Sequence, residues 1–275
     1  MLYIVVIYGG YITGPTESNK PIKTLFLIVS VIIFFNIPIC AQEIGDESTL
    51  FYFSNTLPKN LLLGTKNTFA GWNLLILGAG IGAAIPLSQT DVDQNIQDEL
   101  ENSIGNFADI GDIGGNALTL AGINATLYIF SDVTDNGKLL ETSKALIEAN
   151  IITSVMTGAL KISVGRERPD GSGSRFNSSF PSGHVAGSFT IASVFDSMYG
   201  YKVGIPLYTF AGFVGLSRIS DNKHYLSDVL FGAALGTVVG RGVTKIHKNE
   251  GKDDRLTILP FTDGINSGLS ITLSW

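Results

Sequence analysis

The sequence predicts an all-α protein, a six-helix bundle followed by a small C-terminal β-hairpin, and three observations carry that prediction. Long segments such as Trp72 to Leu87 are apolar around nearly their whole circumference, the pattern of helices buried in protein or lipid. Glycines recur four apart, Gly78 with Gly82 and Gly232 with Gly236 and Gly240, so each set lies on one helical face and lets a neighbour approach closely. The last residues change period: Leu269, Ile271, Leu273 and Trp275 alternate with polar residues, as on a half-buried strand.

The elements follow in order. Lys20 and Lys23 precede the apolar run Thr24 to Ile39, with Cys40 and Ala41 after it, the layout of an export signal with cleavage expected after Ala41. Residues 1–41 are read as a signal peptide or membrane segment, although the apolar stretch Met1 to Thr13 before the lysines is unusual for a signal. Residues 42–66 form an N-terminal extension in which Phe51 to Ser54 is a candidate third strand. Helices are expected at about 67–88, 112–131, 139–163, 182–198, 203–218 and 225–246, within a domain spanning 67–250. The acidic run Asp91 to Asp112 reads as a solvated connector. It opens like a calcium loop but has Ile96 where the turn needs glycine and Asn102 where a bidentate glutamate belongs. The tail 251–275 holds two strands, Leu256 to Phe261 and Leu269 to Trp275, joined by the turn-forming run Thr262 to Ser267.

With 275 residues, the chain is long enough for one sizeable core, and its charged fraction of 15 % is low for a soluble protein. A net charge of −6 and the absence of a basic stripe argue against a nucleic-acid partner. The single cysteine, Cys40, excludes an internal disulfide.

The chemistry lies in three short segments: Lys161 to Pro169, Pro181 to His184, and Ser217 to Asp228. Lys161, Arg168 and Arg218 are cations suited to the equatorial oxygens of a phosphoryl group, the arginines as planar forks and the lysine as a point charge. Three such cations can take the place of a metal. Pro181 reads as the first residue of a helix, leaving the amides of Ser182, Gly183 and His184 as an anion site, with the Ser182 hydroxyl as a further donor and Gly183 giving close access to the backbone. His224 and Asp228 are four apart and share a face on a helix beginning near His224, so the carboxylate can hold one ring nitrogen protonated and leave the other free to attack. Arg166 and Arg175, by contrast, read as solvated loop arginines, and His247 as a packed or surface residue.

These eleven positions resemble the tripartite signature of the type 2 phosphatidic acid phosphatase superfamily, which also contains bacterial acid phosphatases and vanadium haloperoxidases. The resemblance implies that bundle fold and a metal-independent phosphatase without cofactor. His224 attacks phosphorus to give a phosphohistidine, His184 protonates the leaving oxygen and then activates water, and vanadate inhibits. The expected substrate is a phosphate monoester, foremost a lipid phosphate or lipid diphosphate. The alternative is a periplasmic acid phosphatase for small soluble phosphoesters, and a vanadium haloperoxidase or a non-catalytic envelope protein ranks below both.

Topology is argued from parity and charge. Were residues 1–41 to export the chain and all six helices to span the membrane, the site would face the cytoplasm, whereas integral members of the family usually carry it outside. Glu141, Glu148 and Asp196 would also be costly in lipid. The expectation is a helical domain in the periplasm or cell envelope with membrane contact, and an integral membrane protein is the alternative.

Overall fold

The computed structural model describes residues 51–174 and 177–248, and the backbone of 256–262 and 267–273. The expected export signal and the expected turn between the two strands lie outside the described residues. After a π-helical turn, Tyr52–Thr56, the chain forms α1 (Leu57–Thr68), α2 (Asn73–Ser88), α3 (Asp91–Leu100), α4 (Ala108–Gly115), α5 (Ala117–Val133), α6 (Gly137–Val164), α7 (Gly183–Tyr199), α8 (Tyr201–Ser220) and α9 (Leu226–His247). Two strands follow, β1 (Leu256–Thr262) and β2 (Ser267–Leu273), paired antiparallel with Ile258 opposite Ile271.

Nine α-helices among the described residues, where six were expected, reflect two breaks and one addition. The first expected helix is split between α1 and α2 by a 65° bend at which Gly71 adopts a left-handed conformation (φ 59°). The second is split by 53° between α4 and α5, where Asn116 is extended and its side chain accepts from the amide of Leu118, capping α5. The addition is α3, formed by the acidic run read as a solvated connector. Its Asp93 and Gln97, one turn apart, are both buried. Residues 51–54 are helical rather than a third strand. The expected boundary at residue 67 falls inside α1, which packs on α6 and α9.

The core gathers around α9, which packs against α7, α2, α1 and α6. Leu235, Val239 and Val243 meet Ala145, Leu146 and Ile152 of α6 and Ile191 and Val194 of α7. The glycine stripe of α9 makes this approach possible: a Cβ at Gly232 would stand 2.8 Å from the Ser182 carbonyl oxygen, and one at Gly236 only 2.2 Å from that of Ala186. The other stripe differs. Gly78 and Gly82 face open space, and Gly80 is the α2 glycine that meets α9, at Ala234.

A second polar centre sits where α1, α6 and α9 meet. Glu148 is fully buried and accepts from Tyr52 Oη and Asn60 Nδ2, both at 2.9 Å, while the His247 ring lies between Glu148 (2.7 Å) and Glu141 (2.8 Å). His247 is thus packed, and Glu141 is further paired with Lys144 at 2.9 Å. Large apolar side chains instead face outward, including Leu75 and Ile85 on α2, Ile151 and Val155 on α6, and Ile205 on α8. By length and composition, α6 and α9 can each cross a membrane, and the two bent pairs raise the number of candidate spans to four. Among the described residues this is fewer than the six spans of the parity argument, and Glu148 is buried inside the bundle.

Gly236→Ala should destabilise the fold by about 1–3 kcal/mol through overpacking against the α7 backbone, whereas Gly82→Ala should cost nothing. Thermal unfolding of both variants in detergent checks this, and equal midpoints would contradict the packing account.

Candidate active site

The three segments converge at one end of the bundle on a single buried carboxylate. Helix α6 ends at Gly165, left-handed at φ 63°, which stops the helix one turn after Lys161 and sends Arg166 back across the bundle end. Arg166 Nη1 donates to Asp228 Oδ1 at 2.7 Å and to Ser227 Oγ at 2.6 Å, and Nη2 donates to Asp93 Oδ2 at 2.8 Å. Its guanidinium also lies over the Tyr225 ring, 4.1 Å from the centroid. Burial opposes this charge, and the two carboxylates more than offset it, holding Arg166 above its ordinary pKa. Arg166 is therefore an internal tie and not a solvated loop arginine. Arg175 lies outside the described residues.

Asp228 itself is wholly buried. Besides Arg166, its carboxylate accepts from the Tyr225 amide at 2.9 Å and from the Ser179 hydroxyl, and its main-chain carbonyl accepts from the Ser182 amide at 3.2 Å. Helix α9 starts at Leu226, so His224 precedes the helix and Asp228 caps it from the third position. The expected arrangement of both residues within one helical turn gives way to a cap, because the carboxylate is drawn to the Tyr225 amide. His224 Nδ1 stands 3.8 Å from Asp228 Oδ2, an ion-pair separation longer than a hydrogen bond. The ring is almost fully buried. Burial brings its pKa down to about 4 against the pull of Asp228, and Lys161 and Arg168 push the same way as burial.

The anion site is shifted by one residue from expectation. Pro181 precedes α7, Ser182 is its extended N-cap (ψ 111°), and the helix begins at Gly183, so the Ser182 amide is taken by Asp228 while the amides of Gly183 and His184 occupy the first helical turn. The Lys161 ammonium bonds the Ser178 carbonyl, and Arg168 is held by Asn177 through its carbonyl at 3.1 Å and its side chain at 2.6 Å. Burial and, after the opposing pull of Asp170, the charge on Arg218 lower the pKa of Arg168, the signature of cations brought together. Arg218 is buried and pairs with Asp112 (2.5 Å) and with Asp221. Asp112 also stands 3.2 Å from His184 Nε2. Among the described residues, two buried donors of the set expected to bind phosphate lack a partner: the Ser182 hydroxyl and Arg218 Nε.

All eight expected site residues thus lie at this end of the bundle. Asp93, Arg166, Ser179, Asp112 and Asp221 were missed. Arg166 carried a readable signal, a cation held inside the first segment. Asp93 carried none, since the buried face of α3 is polar and hydrophobic period cannot find it. From the site a groove of about 810 Å³ runs between α5 and α6, lined by Leu120, Ala125 and Ile129 on one side and Ile147 and Ile151 on the other, and ending at Lys161, Gly183 and His184.

Residues 143–252, which contain all three segments, match the model of the PAP2 superfamily. A lipid A 1-phosphatase from Porphyromonas gingivalis is 47 % identical over 88 residues, 31 % of this chain, and the match spans 19 % of that relative's length. Among solved structures, a transmembrane PAP2-type phosphatidylglycerolphosphate phosphatase from Bacillus subtilis has the same fold at 19 % identity and a TM-score of 0.50, covering 66 % of this chain and 98 % of its own. The structure of Aquifex aeolicus LpxE aligns at 26 % identity and a TM-score of 0.47, covering 55 % of this chain and 94 % of its own.

Arg166→Ala leaves two buried carboxylates without their shared cation and should destabilise the protein by about 3 kcal/mol. Combining it with Asp93→Asn should recover part of the loss, and full additivity in thermal unfolding of the double variant would show that the tie is not energetic.

Proposed function

We propose that this chain, whose residues 143–252 match the PAP2-superfamily model, is a metal-independent phosphatase that hydrolyses phosphate monoesters of lipids, or their diphosphates, through a phosphohistidine. The observation that carries the reading is the pair of unpartnered buried donors, Ser182 Oγ and Arg218 Nε, beside converging cations and a helix N-terminus. Buried donors without acceptors are costly, and a phosphoryl group supplies acceptors at every oxygen.

In this reading Lys161, Arg168, Arg218, the Ser182 hydroxyl and the Gly183 amide hold the phosphoryl oxygens. The free ring nitrogen of His224 attacks phosphorus. The bond from phosphorus to the lipid oxygen breaks, and that oxygen takes the proton of His184. His184 then removes a proton from water, whose oxygen displaces His224 and releases phosphate. Asp228 biases the His224 ring through charge at 3.8 Å. The low pKa of His224 keeps the nucleophile neutral far into acid. Asp112, between His184 and Arg218, is a positioning residue for both.

The apolar groove ending at Lys161 and His184 supports a lipid substrate over a small ester, as does the similarity to a lipid A 1-phosphatase from Porphyromonas gingivalis. The outward apolar side chains and candidate spans support a membrane-embedded catalytic body through residue 250, with α1 as part of it. An export signal in residues 1–41 would set the site on the envelope side, and the paired strands would form a hairpin appended to a six-helix core.

Purified protein in EDTA should release phosphate from a lipid phosphate faster than from p-nitrophenyl phosphate, and His224→Ala should abolish both turnover and acid-labile phosphoenzyme. Chelator-sensitive activity, or phosphoenzyme in the variant, would overturn the mechanism. The sign of the pH dependence follows from the lowered pKa: His224 loses its nucleophilic form only as pH falls through about 4, so the acid limb of kcat/KM should lie near there and not near the ordinary histidine value of 6.5.

A further inference from the structure

The acidic run that opens like a calcium loop folds as α3, and its polar residues converge on one target. Asp93, Gln97 and Glu101 are four apart, so they stand one above another along α3 and just past its end, over about 12 Å. Each reaches the stretch that joins α8 to α9. Asp93 accepts from the Ser227 amide at 2.9 Å and from the Ser227 hydroxyl. Gln97 Nε2 donates to Asn222 Oδ1, and Asn222 Nδ2 donates to Glu101 Oε1 at 2.5 Å. The chain leaving α3 adds two main-chain donors, the Asn102 amide to the Ser220 carbonyl at 3.0 Å and the Ile104 amide to the Ser220 hydroxyl at 3.4 Å. Asp93, Gln97, Ser220 and Ser227 are all buried.

These contacts bracket Arg218 and His224. Ser220 follows Arg218 by two positions, Asn222 lies between the two, and Ser227 follows His224 by three. Helices α8 and α9 pack on α7 and touch each other little, so their relative placement is not set by direct contact, whereas α3 touches both. Within the turn, the amides of Lys223 and His224 donate to the Arg218 carbonyl, and Asn222 is left-handed at φ 56°. We propose that α3 is a splint for the α8–α9 turn, with Asn222 the residue it grips, and that this grip sets His224 against the phosphoryl group held by Arg218. Asn222 is a positioning residue that acts through the turn. Arg218 depends on the splint less, because Asp112 of α4 also holds its guanidinium. The proposal rests on the phosphohistidine reading and adds to it an element that precedes residue 143, where the family match begins.

The test follows phosphoenzyme formation by the full chain in mixed micelles, with phosphatidic acid as substrate and an alkaline quench. Asn222→Gly keeps the left-handed backbone and removes both side-chain ties. It should form phosphoenzyme roughly tenfold to hundredfold more slowly than the wild type, while inorganic phosphate inhibits within about threefold of its wild-type concentration. Asn222→Asp with Glu101→Gln re-forms both contacts, the second reversed in direction, and should recover most of the rate, which Asn222→Asp alone should not. A wild-type rate in folded Asn222→Gly overturns the proposal. So does a rate that falls only in step with the folded fraction or with phosphate affinity, or a folded double variant that recovers nothing. Absence of phosphoenzyme in the wild type removes the phosphohistidine reading and the proposal with it.

Discussion

The structure depends on where the carboxylate of Asp228 is buried. A charge with no solvent exposure must be met by donors and an opposite charge, and here the donors come from the three segments singled out in the sequence or from beside them: Arg166 after α6, Ser179 two residues before Pro181, and Tyr225 at the head of α9. Satisfying one carboxylate therefore draws in groups 49 and 62 residues away in sequence. It also sets the orientation of α9, because the same oxygen that faces His224 caps that helix. The histidine is held by backbone as much as by charge, its main-chain N–H donating to the Arg218 carbonyl oxygen at 3.2 Å.

Packing supports this from below. The glycines of α9 bring its backbone against α7, so the N-terminus of α7 and the start of α9 meet at one level, the Ser182 amide reaching the Asp228 carbonyl. A bulkier stripe would separate the two helix ends that build the pocket. At the opposite pole the Glu148 and His247 contacts bind α1, α6 and α9 through paired charges, and the outer surfaces are left to apolar residues.

Much of this was legible in the sequence. Lys161, Arg168, Ser182, Gly183, His184, Arg218, His224 and Asp228, picked out by residue type and spacing, lie together at one end of the bundle, and the longest apolar segments are helices close to the expected bounds. What escaped was tertiary. The bends at Gly71 and Asn116 depend on one residue each inside otherwise apolar runs. Helix α3 buries Asp93 and Gln97, so its packed face looks solvated to any reading based on hydrophobicity. The start of α9 moved because a carboxylate four residues from a histidine can serve the helix end before it serves the ring.

The partners of the charged residues also set the limits of the folding unit. The recognisable stretch begins at residue 143, yet Arg166 draws on Asp93, Arg218 on Asp112, and Glu148 on Tyr52 and Asn60, all of which precede it. A segment cut at the edge of resemblance would carry every signature residue but would leave Arg166 with Asp228 alone, Arg218 with Asp221 alone, and Glu148 without its two neutral donors. The stretch that resembles a known family is thus smaller than the set of residues its buried charges lean on, and the turn before α1 together with α1, α3 and α4 supplies the remainder.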